Sequence, residues 1–279
     1  MNRIEAVKFF SAKFRELGIE EHEAETEARF ALSSILNCDI SSLYIRGTAQ
    51  VSESDEYRMA QIVKRRAEGE PLEYILGEKW FMGLKFRVTP AVLIPRRETE
   101  LLCETAIQTV RMEMKGRVLD LCTGSGCIAV SIARYTRARV TACDISEQAA
   151  EVARFNAKNS MVGVDVRVCD LFSEVPESFD IITANPPYIP SGEIDGLMKE
   201  VRDYEPRLAL DAGRDGLKFY RRIAAEAPEH LNQGGVLIME IGCEQAADVK
   251  GILSDAGFCD IRVMKDYSQL DRIVAARVK

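Results

Sequence analysis

The chain has 279 residues, 47% of them hydrophobic and 29% charged, a balance that suits a globular protein with one ordinary domain and a smaller companion. Its apolar runs are short, Gly235 to Ile241 being typical, which excludes a helix with the ~18 apolar residues of a membrane span, and charge at Arg3 and Glu5 argues against a secretory leader. A formal net charge of −7 argues against direct nucleic-acid binding, and basic clusters such as Lys64-Arg65-Arg66 and Arg221-Arg222 read as solvated helix faces.

Residues 1–72 read as helices. Ile4, Val7, Phe10, Phe14 and Leu17 fall at helical spacing, and Gly18 ends the run. Ala24, Ala28, Leu32, Ile35 and Leu36 form a second stripe behind the acidic segment Glu20 to Glu27, whose charge suits a helix N-terminus. A third helix is expected between Ser54 and Glu68, with Gly69 and Pro71 as stops.

The texture changes at Tyr74. Trp80 to Val88 has the aromatic and β-branched content of a hairpin with Gly83 near its turn, and a helical pattern resumes over Glu98 to Val110. The expected organisation is a helical domain over 1–72, a hairpin connector over 73–90 and a larger α/β domain over 91–279. In that last part strands are expected at Arg117–Cys122, Arg139–Asp144, Val164–Asp170, Phe179–Asn185 and Gly235–Ile241, with helices between most of them, as in a parallel sheet. Cys259–Met264 and Arg272–Val278 have no helix between them and should pair antiparallel.

The eight cysteines include no C-x-x-C pair, and several sit in apolar runs, so reduced thiols in the cytoplasm are expected. With only His22 and His230, no zinc site of the usual kinds assembles, and the chemistry is expected to run without a protein-bound metal.

Two segments carry chemistry. Asp120-Leu121-Cys122-Thr123-Gly124-Ser125-Gly126 runs from a strand through a small-residue turn into a helix, where backbone can approach a ligand closely. Asp144 ends the next strand, a place from which an acid accepts ribose hydroxyls. This pair alone suits a nicotinamide or flavin site equally well. Asn185-Pro186-Pro187-Tyr188 follows the strand Phe179–Ala184 and narrows the choice. Its prolines fix φ and remove N–H donors, so the Asn185 side chain and the Pro186 carbonyl become acceptors in a stiff frame beside the flat Tyr188 ring. Such a clamp suits a planar amide or amine, because it grips the N–H protons and aims the nitrogen at a methyl sulfonium.

Thr123-Gly124-Ser125-Gly126, Asp144 and Asn185-Pro186-Pro187-Tyr188 resemble the class I S-adenosylmethionine-dependent methyltransferases that act on adenine N6, guanine N2 or glutamine amide nitrogens. Pro95-Arg96-Arg97-Glu98-Thr99-Glu100, Tyr204 to Leu210, Asp215-Gly216-Leu217 with Tyr220-Arg221, and Lys265-Asp266-Tyr267 with Asp271-Arg272 narrow this to the peptide chain release factor N5-glutamine methyltransferases. Together with the helical domain the likeness spans nearly the whole chain. It implies a Rossmann-like sheet and, as substrate, the glutamine of the Gly-Gly-Gln loop in class I release factors, with an effect on translation termination. It also implies that Cys122, Thr123, Gly124, Ser125 and Gly126 hold the methionine end of S-adenosylmethionine and that Asp144 binds its ribose. Asp170, Leu171 and Phe172 would line its adenine. Asn185 would reach both cofactor and substrate. Pro186, Pro187 and Tyr188 would complete the clamp, while Arg96 and Glu205 would either position the substrate loop or form a structural ion pair. Cys122 stands where the family more often has Gly, an exchange that a negative φ would tolerate. Leu171 replaces the Trp of some relatives and leaves stacking to Phe172.

Other readings use the same residues. A nucleic-acid amino methyltransferase would need a basic groove beside Tyr188, yet Glu193, Asp195 and Glu200 outnumber Lys199 there. A dinucleotide-dependent oxidoreductase leaves the Asn-Pro-Pro-Tyr loop without a task. A non-enzymatic adaptor leaves the cofactor turn without one.

Overall fold

In the computed structural model, which describes residues 1–114 and 116–279, the helical pattern of the N-terminal segment folds as expected with two short additions. α1 (Arg3–Glu16), α2 (Glu21–Ile35) and α4 (Glu53–Ala67) are the expected helices, while α3 (Ile40–Ile45) and α5 (Leu72–Leu76) are too short to leave a periodic trace. Asn2 starts α1 through a capping box: its side chain accepts from the Glu5 N–H, and the Glu5 carboxylate accepts from the Asn2 N–H. Phe10, Phe14, Leu32, Leu43 and Met59 fill the interior of this bundle.

The chain falls into two units, 1–77 with 199–204 and 78–198 with 205–279. The first thus includes α9 (Lys199–Tyr204), a helix from far along the chain. Lys199 Nζ and the Tyr204 hydroxyl both donate to the Glu68 carbonyl, at 2.7 and 3.1 Å, and so satisfy the C-terminal end of α4. Arg66 pairs with Glu27 at 2.7 Å and with Glu200 at 2.9 Å, and its side chain is only 8% exposed. Arg66 is therefore no part of a solvated basic face: the carboxylates on α2 and α9 neutralise it.

The second unit opens with the hairpin β1 (Glu78–Phe81) and β2 (Leu84–Arg87). Met82 and Gly83 both have positive φ, as a two-residue turn of matching twist requires. α6 (Glu100–Glu113) follows a single 3-10 turn at Arg97–Thr99. Strands and helices then alternate: β3 (Arg117–Leu121), α7 (Cys127–Tyr135), β4 (Arg139–Asp144), α8 (Glu147–Asn159), β5 (Val164–Val168) and β6 (Phe179–Ala184). α10 (Lys218–His230), β7 (Leu231–Glu240), α11 (Ala246–Asp255), β8 (Cys259–Lys265) and β9 (Asp271–Arg277) complete the unit.

The strands form a seven-stranded sheet of order β5-β4-β3-β6-β7-β9-β8. β5, β4, β3, β6 and β7 pair in parallel, β9 is antiparallel to both β7 and β8, and six of the seven strands thus share one direction, so the α/β, Rossmann-like class I methyltransferase sheet with its antiparallel C-terminal pair is present. β9 inserts between β7 and β8, a position that strand patterning does not encode. The chain order reverses between β3 and β6. In open α/β sheets such a reversal leaves a crevice beyond the carboxyl ends of the strands. Among the described residues, no helix is long and apolar enough to cross a membrane, and the eight cysteines are free.

Candidate active site

Register brings the two chemical segments together. Leu121 at the end of β3 pairs with Ala184 at the end of β6, so Cys122 and Asn185 leave the sheet side by side at the reversal point. Both line a cavity of about 440 Å³ that also receives Thr123, Gly124, Ser125, Asp144, Asp170, Leu171, Pro187 and Arg96.

The turn after β3 is built on a buried carboxylate. Asp120 accepts from the Thr123 hydroxyl at 2.6 Å and from the Thr183 hydroxyl at 2.8 Å, which ties the turn to β6. Burial pushes the Asp120 pKa up to about 7 against these donors. Gly124 N–H donates to Asp144 Oδ2 at 2.8 Å and Ser146 N–H to Oδ1 at 2.9 Å, and the carboxylate keeps acceptor capacity for a ligand. Burial raises the Asp144 pKa as well. Gly126 stands behind the cavity: a Cβ there would lie 3.0 Å from that of Ala153, so it serves the packing of α7 on α8.

Cys122 has φ +54°, so the negative φ that would make it an easy replacement for Gly is absent. A side chain is held there in the left-handed region at a cost of about 1–2 kcal/mol. Leu171 has the same φ of +54° and lines the cavity. Phe172 does not join it. Its ring stacks on His230 at 4.6 Å between centroids and belongs to the core cluster with Val175 and Phe179, outside the cavity lining. Ile145, Phe219 and Leu208 line the cavity and were not apparent from the motifs. Ile145 is 52% exposed, and its place directly after the strand-ending Asp144 is the sequence signal that would have marked it. Asp170 lines the cavity through an ion pair with Arg222, at 2.9 and 3.0 Å.

S-adenosylmethionine fits this set. Asp144 supplies acceptors at the place a ribose needs them, Ile145 and Leu171 supply aliphatic walls, and a Cβ on Gly124 would meet no protein atom within 4 Å, so the turn stays open to a ligand.

The Asn185 loop is held from behind. Asn185 Nδ2 donates to the Thr99 hydroxyl at 3.3 Å, and Thr99 donates to Glu240 Oε2 at 2.6 Å. Gln245 Nε2 donates to the Tyr188 carbonyl at 2.9 Å, and Gln245 Oε1 accepts from the Gly242 N–H and the Tyr220 hydroxyl. Beyond Tyr188 the backbone of Ile189 pairs with Leu210 and Ala212. Pro186 is buried and outside the cavity lining, whereas Asn185 and Pro187 face it. Tyr188 packs against the core, and burial pushes its phenol up to about 12, so it stays protonated. Arg96 and Glu205 form an ion pair. The Glu205 side chain is 1% exposed and also accepts from the Ile94 N–H, while Arg96 reaches the cavity.

Comparison with known proteins places these features in a family. The profile of the Methyltransferase small domain matches residues 97–200, and that of the PrmC N-terminal domain matches residues 5–77. The Release factor glutamine methyltransferase of Geobacter sulfurreducens is 43% identical over 265 residues, covering 94% of this chain and 92% of its own length. That of Chlorobaculum tepidum is 39% identical over 286 residues, covering 96% and 95%. Among solved structures, a methyltransferase from Pyrococcus furiosus superposes with a TM-score of 0.53 at 19% identity, over 80% of this chain and 98% of that one, a likeness of fold.

Proposed function

The chain belongs to the release factor glutamine methyltransferases, S-adenosylmethionine-dependent enzymes, and we propose that it methylates the side-chain amide N5 of the glutamine in the Gly-Gly-Gln loop of class I release factors, thereby modulating translation termination in the cytoplasm. The observation that carries this reading is the pairing of Leu121 with Ala184, which puts an acceptor-bearing Asn185 and a ligand-binding turn on one cavity.

S-adenosylmethionine supplies an electrophilic methyl on a sulfonium when bound. Cys122 to Ser125 and Leu171 would hold it, with Asp144 on its ribose. The protein's own work is on the nucleophile. An amide nitrogen shares its lone pair with its carbonyl, the same conjugation that gives a peptide C–N bond a rotation barrier of ~18–20 kcal/mol. Asn185 Oδ1 would accept a hydrogen bond from one amide N–H, and the carbonyl of Pro186, whose ring lies outside the cavity lining, would accept from the other through the backbone, which fixes the nitrogen and returns density to it. Tyr188, neutral at working pH, backs the loop. Positioning of this kind contributes on the order of 7–11 kcal/mol, and no strong base is needed before attack because the nitrogen becomes acidic as the new bond forms.

The helical unit would read the shape of the release factor. Ile45 at 81% and Tyr57 at 66% exposure support this role as apolar contacts open to a partner.

The test is transfer of labelled methyl from S-adenosylmethionine to purified release factor, beside its Gln→Ala variant at the Gly-Gly-Gln loop, DNA and ribosomal RNA. Label on wild-type release factor alone is the expected result. Label on nucleic acid would transfer the clamp to another substrate class, and label on none would refute the enzymatic reading.

A further inference from the structure

The polar groups behind Asn185 have a direction. Glu240 ends β7 after the buried run Val236 to Met239, with 1% of its surface exposed. The guanidinium groups of Arg96 and Arg272 pair with Glu205 and Asp266, and among the described residues no cation lies within ion-pair distance of Glu240. A carboxylate buried in this way is costly, and an apolar residue would close the strand more cheaply. Its side chain reaches Thr99, and Thr99 reaches Asn185.

A hydroxyl has one proton to give, and a carboxylate can only accept. Thr99 therefore donates to Glu240 and turns a lone pair to Asn185. Asn185 must answer with Nδ2, so that Oδ1 lies on the far side of the amide, away from Thr99. With the amide reversed, Asn185 would offer N–H groups to the substrate's own N–H groups, donor against donor. We propose that Thr99 and Glu240 are positioning residues that lock the Asn185 amide in the one orientation presenting an acceptor to the substrate nitrogen. This rests on the methyl-transfer reading above.

The test compares Thr99→Val, which keeps the shape and loses the hydroxyl, with Thr99→Ser, which keeps the hydroxyl, and with Glu240→Gln, which removes the acceptor-only group that obliges Thr99 to donate and lets the hydroxyl turn toward Asn185. Labelled-methyl transfer gives kcat and KM, and calorimetry gives the S-adenosylmethionine Kd. Thr99→Val and Glu240→Gln are expected to lower kcat about 100-fold, comparable to losing one aimed polar group of an active site. The cofactor Kd should stay within about threefold and Thr99→Ser within about fivefold of wild-type kcat, the scale of a preserved hydrogen bond. Equal losses in Thr99→Val and Thr99→Ser, a parallel loss of cofactor affinity, or an unchanged kcat in Thr99→Val would each overturn the proposal.

A readout that needs no substrate separates it from the functional reading. ¹⁵N-resolved exchange of the Asn185 side-chain NH2 should be slowed in wild type and Thr99→Ser and faster in Thr99→Val. That pattern in an enzyme that labels no release factor would refute the substrate and leave the positioning intact; equal exchange in all three overturns the positioning.

Discussion

Gly216 lies against the carbonyl of Tyr188: a Cβ built on Gly216 would stand 2.5 Å from that oxygen and 2.7 Å from Gln245 Nε2. Its φ is +73°. Gln245 is the group that holds the same carbonyl, so one missing methyl lets three segments close on the back of the Asn185 loop.

Gly216→Ala should therefore act on catalysis through the loop. Strain at positive φ and displacement of backbone are expected to cost about 2–4 kcal/mol of stability. In the folded fraction, kcat should fall at least about tenfold, as a small misplacement of reacting groups entails. Denaturant titration and methyl transfer at a temperature where the variant is folded check both.

Asn185→Ala removes the acceptor itself. kcat is expected to fall about 10²–10³-fold, the usual cost of one aimed polar group, while calorimetry finds the S-adenosylmethionine Kd little changed. Losses of similar size in both would mean that Asn185 mainly holds cofactor.

Cys122→Val compared with Cys122→Ala isolates the backbone. Both lose the thiol, but a β-branched side chain at φ +54° adds crowding that alanine avoids. The valine variant should be less stable than the alanine variant by about 1–3 kcal/mol in denaturant titrations.

Asp120 sets part of the pH dependence of stability. Burial raises its pKa from 3.8 to about 7, so the folded state binds the proton more tightly than the unfolded chain. Its contribution is full below pH 3.8 and is lost as pH rises to about 7, a change of at most on the order of 4 kcal/mol at 1.36 kcal/mol per pKa unit. Glu240 has the same sign. The difference between wild type and Asp120→Asn, measured by unfolding at several pH values, should thus shrink or reverse across that window, and a pH-independent difference would contradict the assignment.

Activity should show the opposite trend. Burial raises Glu240 to about 7; Arg272 and Arg96 pull it down and Glu98 pushes it up, while Tyr188 and the deeply buried Tyr220 stay protonated through this range. Below about pH 7 a protonated Glu240 becomes a donor, and Thr99 is free to turn toward Asn185 Oδ1. Saturated kcat is expected to fall on the acid side with a midpoint near 7, and the profile of Glu240→Gln should be low and flat there.

Much of this was legible in the chain. Strands such as Phe179–Ala184 are mostly apolar because both faces are covered, with Asp180 and Thr183 as the polar exceptions, and the acceptor loop announces itself through two prolines that no buried strand would hold. What stayed hidden depends on distance or direction. Thr99 and Glu240 are separated by 141 residues and carry no local pattern. Phe172 and Leu171 are adjacent, yet Leu171, at positive φ, meets the cavity and Phe172 does not, a difference of direction that no local pattern shows. Arg66 sits in a basic triplet, yet its carboxylate partners come from elsewhere in the bundle.

The placement of α9 among the N-terminal helices bears on how this protein can be cut and recombined. The peptide passes between the two units at residues 77/78, 198/199 and 204/205, so no single cleavage separates them. Removal of residues 1–77 discards the Glu68 carbonyl and leaves Lys199 and Tyr204 without the acceptor they share. A chimera given a relative's helical unit would inherit the same fault unless residues 199–204 travelled with it. The bundle is not a cassette at the front of the gene; its last piece is written into the middle of the catalytic reading frame.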